Sequence, residues 1–388
     1  MWYFRSPEII FGEDALEHLE TLGGNRAFIV ADPMMVKLGF VDLISEYFAQ
    51  AGISCQTFSD VEPEPSAATI MKGAKEMSAF EPDWIVGLGG GSAMDAAKAM
   101  WVMYVHPNMT PEDINPFEAL NLRDKARLIA IPTTSGTGSE ATWATVISEP
   151  DGRKMGLSSP ELLPDIAIID PLLAQKMPPR LTADTGLDAL THAIEAYTCS
   201  LRNDFSDGLA LKAMQLVFTY LPRAVANGDD MEAREKMHNA ATLAGLSFSN
   251  AMPALAHSLG HSLGAVFHVP HGRAVALFLP YTIQFTDNNP GETRFHELSR
   301  FLGLPAATPK EGADSLIKAI QELSVAVGQP LSIKETIDAS AEEFEAALAQ
   351  LVAFAEADSV IVMGSRIPDT NETTQLFRYA YQGKDIDF

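Results

Sequence analysis

The chain has 388 residues, 47% hydrophobic and 20% charged, with a formal net charge of −24 at pH 7. This is the composition of a soluble globular protein with material for two cores. Its acidity excludes nucleic acid or an anionic membrane as a partner, because phosphate binding needs a basic surface. The only cysteines, Cys55 and Cys199, form no disulfide framework. The first residues lack a basic stretch followed by an apolar one, and no uninterrupted apolar run reaches membrane length, so the sequence reads as a reduced, cytoplasmic protein.

Up to residue 178, short apolar runs rich in β-branched residues alternate with helical patterns. The runs at 26–32, 83–88, 127–131 and 165–170 predict strands, and strands separated by helices imply parallel βαβ units with both sheet faces covered. Residues 143–156 break the alternation. Their Pro150-Asp151-Gly152 turn between two extended runs predicts a β-hairpin inserted in this domain. Beyond Pro178-Pro179, read as the hinge, strand signals stop and helical stretches such as 206–220, 231–248, 312–327 and 341–355 follow. The expected organisation is an α/β domain over 1–178 and an all-helical domain over 179–388.

Three features of the first domain suit a nucleotide. Asp32 closes a strand with a carboxylate, which in dinucleotide sites accepts from ribose hydroxyls and repels a 2′-phosphate, selecting NAD over NADP. Gly87-Leu-Gly-Gly-Gly-Ser-Ala-Met-Asp95 follows a strand and opens a helix, where glycines let backbone approach phosphate and the helix N-terminus supplies N–H donors. It is neither a G-x-G-x-x-G nor a Walker A motif. A cluster of small hydroxyls and glycines from Thr133 to Thr142 follows the next strand, where α/β sheets bind nucleotides.

The second domain carries a different signal. Asp188 and His192 are four apart in a helical pattern with Thr182 as candidate N-cap, so both side chains share one face. His257, His261, His268 and His271, four of the nine histidines, fall within fifteen residues. There Gly264 and Pro270 predict a helix ending in a loop that returns a further histidine. Three imidazoles and a carboxylate suit Fe²⁺ or Zn²⁺ rather than Ca²⁺ or Mg²⁺. His257-Ser-Leu-Gly-His261 lacks the glutamate of the H-E-x-x-H peptidases, since Ser258 stands in its place.

Taken in order and separation, Gly-Gly-Gly-Ser-x-x-Asp-x-x-Lys, Pro-Thr-Thr-x-Gly-Thr-Gly-Ser-Glu, Asp-Ala-Leu-Thr-His-Ala-Ile-Glu and His-x-x-x-His-x9-His-Gly resemble the iron-containing (group III) alcohol dehydrogenases. The resemblance spans essentially the whole chain. It implies the dehydroquinate synthase-like fold, with an N-terminal dinucleotide-binding domain and a helical metal-binding domain. It also implies Asp188, His192, His257 and His271 as ligands of one divalent metal, Fe²⁺ or else Zn²⁺. Asp32, Gly89, Gly90, Gly91, Ser92, Asp95, Thr133, Thr134, Thr142 and Lys154 would then contact NAD. His261 would lie near substrate and nicotinamide as a candidate proton relay.

Where many relatives carry Pro-Asn-Pro, this chain has Pro63-Glu64-Pro65. The implied reaction interconverts a small primary alcohol or diol and its aldehyde. The metal would act as a Lewis acid stabilising the alkoxide, and the nicotinamide would carry the hydride. A homodimer or higher homo-oligomer is the family expectation.

Two other readings remain at this stage. A dehydroquinate synthase-like or glycerol dehydrogenase-like enzyme shares the plan, but a phosphate-bearing substrate needs a cationic cluster, and the candidates Arg180, Arg273 and Lys154 are scattered. A filament-forming or nucleotide-sensing protein would not need the intact ligand set.

Overall fold

The computed structural model describes residues 3–148, 154–289, 291 and 293–388. The chain divides into two compact units, Met1–Lys176 and Met177–Phe388.

The first unit is built on a six-stranded sheet of β1 (Glu8–Phe11), β2 (Arg26–Ala31), β3 (Ser54–Phe58), β4 (Trp84–Gly89), β5 (Arg127–Pro132) and β8 (Ile166–Ile169). All pairings are parallel, in the order β1-β8-β5-β4-β2-β3. The two-residue period of a strand sends Phe28 and Val30 to one face, and Ile29 and Ala31 to the other. The first face packs on α3 (Ala67–Phe80) and α4 (Gly91–Val105), the second on α2 (Phe40–Gln50). A short α1 (Pro33–Lys37) follows β2, and α5 (Pro171–Ala174) follows β8.

The four strands expected at 26–32, 83–88, 127–131 and 165–170 are present within a residue or two. β3 had no apolar signal because it is a half-buried edge strand of sequence Ser-Cys-Gln-Thr-Phe. The hairpin forms as β6 (Ala144–Ser148) and β7 (Lys154–Ser158), antiparallel. It lies between β5 and β8 in the chain but makes its own two-stranded sheet. Its Pro150-Asp151-Gly152 tip lies outside the described residues. What holds the hairpin is α4: the Thr145 hydroxyl donates to the Asp95 carbonyl at 2.9 Å, and the Val146 N–H to the Asp95 carboxylate at 3.0 Å.

The second unit consists of α6 (Pro179–Thr198), α7 (Asp204–Ala226), α8 (Met231–Ser249), α9 (Leu255–Phe267), α10 (His271–Asp287), α11 (Phe295–Phe301), α12 (Pro309–Ala326), α13 (Ile333–Thr336), α14 (Ala341–Ala357) and α15 (Thr370–Gln382). One core joins α6, α7, α8 and α12, and another joins α9, α14 and α15, with α10 contributing to both.

One local expectation is corrected. Thr182 is not the N-cap of α6, which starts at Pro179 behind Pro178, because proline at the first helical position loses no hydrogen bond. The Thr182 hydroxyl instead donates to the Pro178 carbonyl and accepts from Arg234. The histidine helix runs through Gly264 to Phe267. It stops at His268 in the left-handed region (φ 55°), and the short loop returns His271, as expected, at the start of a new helix. Among the described residues no helix is long and apolar enough to cross a membrane.

Candidate metal centre and nucleotide site

In the second unit α6 supplies Asp188 and His192, α9 supplies His257, and the first residue of α10 is His271. One donor atom from each lies within 4.8 Å of the other three. Close backbone packing sets this convergence. A Cβ on Gly272 would stand 2.3 Å from the Asp184 carbonyl oxygen of α6, and one on Gly260 would stand 2.8 Å from the backbone of Val275, which is why α10 seats directly on α6 and α9.

Asp188 Oδ1 is 3.7 Å from His192 Nδ1, 3.8 Å from His257 Nε2 and 3.5 Å from His271 Nε2. These separations are too long for hydrogen bonds. They are near the roughly 3.4 Å between two ligands on one tetrahedral ion with bonds of about 2.1 Å. Asp188, His192 and His257 are buried; the His271 side chain is 30% exposed and forms the open side. The His192 ring stacks on Phe248, with centroids 4.2 Å apart, which fixes its plane.

The residues fit a divalent transition metal, and His257 shows why. Its Nδ1 lies 2.5 Å from Glu195 Oε2, while its buried Nε2 has no hydrogen-bond partner among the described residues. With Nδ1 donating to the carboxylate, Nε2 presents a bare lone pair to the centre of the quartet. Burial disfavours charge on this ring, but Glu195 and Asp188 outweigh it and raise the His257 pKa. The cluster therefore attracts positive charge, whether proton or metal.

Glu195 was quoted in the sequence motif without a role. It also accepts the N–H groups of Ala254 at 2.8 Å and Ala256 at 2.6 Å, so one buried carboxylate caps α9 and aims its ligand. Glu195→Ala is expected to weaken Zn²⁺ binding about 10- to 100-fold in a chelator competition, with Glu195→Gln recovering part of it. Unchanged affinity in the alanine protein would reduce Glu195 to a helix cap.

His261 stands outside the quartet. Its ring stacks on His271 at 5.1 Å, and its Nδ1 is 2.6 Å from Asp358 Oδ2. Burial alone would raise the Asp358 carboxyl, but the bond from His261 holds it below the ordinary range. No sequence signal links these two, since 97 positions separate them. Arg273 is held by Asp184 through Nε at 3.0 Å and Nη2 at 2.8 Å, so it is already committed within the helical core.

In the first unit Asp32 directly follows β2 and Gly89 ends β4, the neighbouring strands between which the chain order reverses, where such sheets bind ligands. Gly89 needs its glycine: its φ is 146° and a Cβ would lie 2.8 Å from that of Ala93. Asp32 Oδ1 caps α1, accepting from Met34 and Met35, and its Oδ2 faces Gly89. Gly90 caps α4, with Gly91 and Ser92 in its first turn. The Thr133 N–H donates to the Gly89 carbonyl, binding the threonine loop to the turn. Thr134 packs against Gly90, and its buried Oγ1 has no hydrogen-bond partner among the described residues, a polar group available to a ligand.

Asp95 and Thr142, expected at the cofactor, are engaged within the protein. The Asp95 carboxylate accepts from Ser139 Oγ and Val146 N–H. Thr142 Oγ1 accepts from Lys98 and lies in hydrogen-bond range of the Ser139 carbonyl. Lys98 is fully buried; its Nζ also reaches the Ser139 and Ala144 carbonyls at 2.8 Å and Ser139 Oγ at 3.0 Å. Lys154 pairs with Glu64 at 2.6 Å.

A parallel α/β unit with a glycine-rich strand-to-helix turn, joined in one chain to a helical unit with a buried carboxylate–histidine quartet, suits a nucleotide-dependent metalloenzyme. The comparisons with known proteins give the family. Residues 6–171 match the iron-containing alcohol dehydrogenase model, and residues 182–381 match the C-terminal model of the Fe-containing alcohol dehydrogenase family. The chain is 41% identical to an NADPH-dependent butanol dehydrogenase of Clostridium saccharobutylicum, over 100% of both chains. It is 40% identical to aldehyde-alcohol dehydrogenase 2 of Entamoeba histolytica, over 98% of this chain but 46% of that one, so it spans about half that relative's length. Among solved structures, the iron-containing alcohol dehydrogenase of Thermococcus thioreducens superposes with a TM-score of 0.90 at 34% identity, covering 99% of this chain and 100% of that one. The chain belongs to the iron-containing alcohol dehydrogenase family and is a metal-containing alcohol dehydrogenase.

Proposed function

We propose that the protein interconverts a small primary alcohol or diol and its aldehyde, with NAD(H) carrying the hydride and Fe²⁺ at Asp188, His192, His257 and His271. The observation that carries this reading is the quartet itself, with the His257 lone pair directed into it by Glu195. A divalent ion there supplies Lewis acidity toward an alcohol or carbonyl oxygen. Four protein ligands favour an ion that accepts five or six, hence iron over zinc, although zinc binds the same donors more tightly.

The protein's own groups divide the remaining work. Asp358 holds the His261 ring through Nδ1, and His261 relays the proton that the alcohol hydroxyl gives up. Asp32, Gly89, Gly90, Gly91, Ser92, Thr133 and Thr134 hold the dinucleotide. The second Asp32 oxygen disfavours a 2′-phosphate. That supports NAD, although the butanol dehydrogenase of Clostridium saccharobutylicum is named for NADPH.

The enzyme works in the cytoplasm with both cysteines reduced. A homodimer is supported by the edge position of β1, where Phe11 is 67% exposed.

The test is a screen of short alcohols and diols with NAD and NADP in parallel, after chelation and reloading with Fe²⁺, Zn²⁺ or Mn²⁺. Chelation is expected to abolish turnover, Fe²⁺ to restore most of it, and NAD to be preferred at least about ten-fold in kcat/KM. Full activity in chelator would overturn the metal reading, and an NADP preference would overturn the role of Asp32.

A further inference from the structure

Glu64 occupies an unusual position. It sits between Pro63 and Pro65 in the left-handed region (φ 57°), a conformation that side chains other than glycine, asparagine or aspartate rarely adopt. The surrounding contacts hold it there. Its N–H donates to Ser92 Oγ at 3.2 Å, in the first turn of α4 behind the glycine turn. The Pro65 carbonyl accepts from Ser148 N–H of β6 at 3.0 Å, and Ser66 bridges to Ser148. The carboxylate lies 2.6 Å from Lys154 Nζ at the start of β7. Lys154 is 9% exposed and Glu64 is 48% exposed, so the cation is held inside and the carboxylate covers it from the solvent side.

One residue therefore positions a hydroxyl through its N–H and occupies a cation through its carboxylate beside the glycine turn, and that cation suits an anionic diphosphate. We infer that Glu64 is a self-competing carboxylate. It neutralises Lys154 when no dinucleotide is bound, and the dinucleotide must displace it to use that cation, so Glu64 weakens cofactor binding and speeds release. The inference rests on the dinucleotide reading of the first unit. The physical reason is that a cation already paired at 2.6 Å offers little to an incoming phosphate until the pair opens, while the nearby negative charge repels it. Rapid cofactor release matters because product release limits turnover in many enzymes.

The experiment measures NADH and ADP-ribose binding by calorimetry to the metal-free full-length protein, so that no readout depends on activity. The proteins are wild type, Glu64→Gln, Lys154→Met and the double variant. Glu64→Gln keeps the backbone N–H and side-chain length while removing the charge. It is expected to bind both probes about five-fold more tightly at low salt, with a gain that shrinks at high salt and vanishes in the Lys154→Met background.

Unchanged or weaker binding in Glu64→Gln overturns the inference, and weaker binding would make Glu64 a direct acceptor for the cofactor. A gain that persists without Lys154 also overturns it. If none of the four proteins binds either probe, the dinucleotide reading itself fails and the inference falls with it.

Discussion

Asp188→Asn is expected to leave a folded protein that has lost roughly a thousand-fold or more in kcat, the several kcal/mol that Lewis-acid stabilisation contributes at about 1.4 kcal/mol per factor of ten. Asparagine has the same shape, so the backbone seating of α10 on α6 survives. What disappears is the negative charge 3.5–3.8 Å from three imidazole nitrogens. Three neutral imidazoles hold a divalent ion far less firmly than three imidazoles and a carboxylate. Two measurements separate this from misfolding. Metal content after dialysis should fall, and the rise in melting temperature that Zn²⁺ or Fe²⁺ gives the wild type should be absent from the variant. A variant with wild-type metal content and turnover would remove Asp188 from the ligand set.

Lys98→Met should cost about 3–5 kcal/mol of stability, because it removes the cation from a buried polar network and leaves the Asp95 carboxylate without its counter-charge. The Ser139 and Ala144 carbonyls and the Asp95 carboxylate all depend on this cation or lie beside it. All four tryptophans precede residue 177, so tryptophan fluorescence in urea follows the first unit alone.

A pH test accompanies it. Burial lowers the amine from 10.5 to about 8, against the pull of Asp95 and Glu140. Between those values the unfolded chain holds more protons than the folded one, so the Lys98 contribution makes stability rise as pH climbs through that window. The methionine variant lacks this slope. An unchanged urea midpoint would show that the loop after β5 needs no cation.

How far the sequence reaches is visible in these same residues. The convergence of Asp188, His192, His257 and His271 was legible because metal chemistry restricts residue type and because Asp188 and His192 share a helical face. The glycine turn was legible because Gly89 adopts a conformation that other residues avoid. β3 was missed because an edge strand needs no apolar run. Glu195, Asp358 and Lys98 were missed as working groups because their partners lie 41 to 97 positions away, and only the folded backbone brings them together. Asp95 and Thr142 carry a second signal that the motif does not reveal: both fasten the glycine turn and the threonine loop to their neighbours.

The direct seating of α10 on α6 at Gly272 bears on which ion the enzyme carries. Ligand positions fixed by main chain against main chain have little freedom to breathe, so the pocket is a mould cast before any ion arrives. The size of such a mould does not tell apart ions of nearly equal radius. Discrimination then passes to supply and exchange in the cell, and two preparations of the same folded polypeptide can differ in catalytic power through their loading history alone.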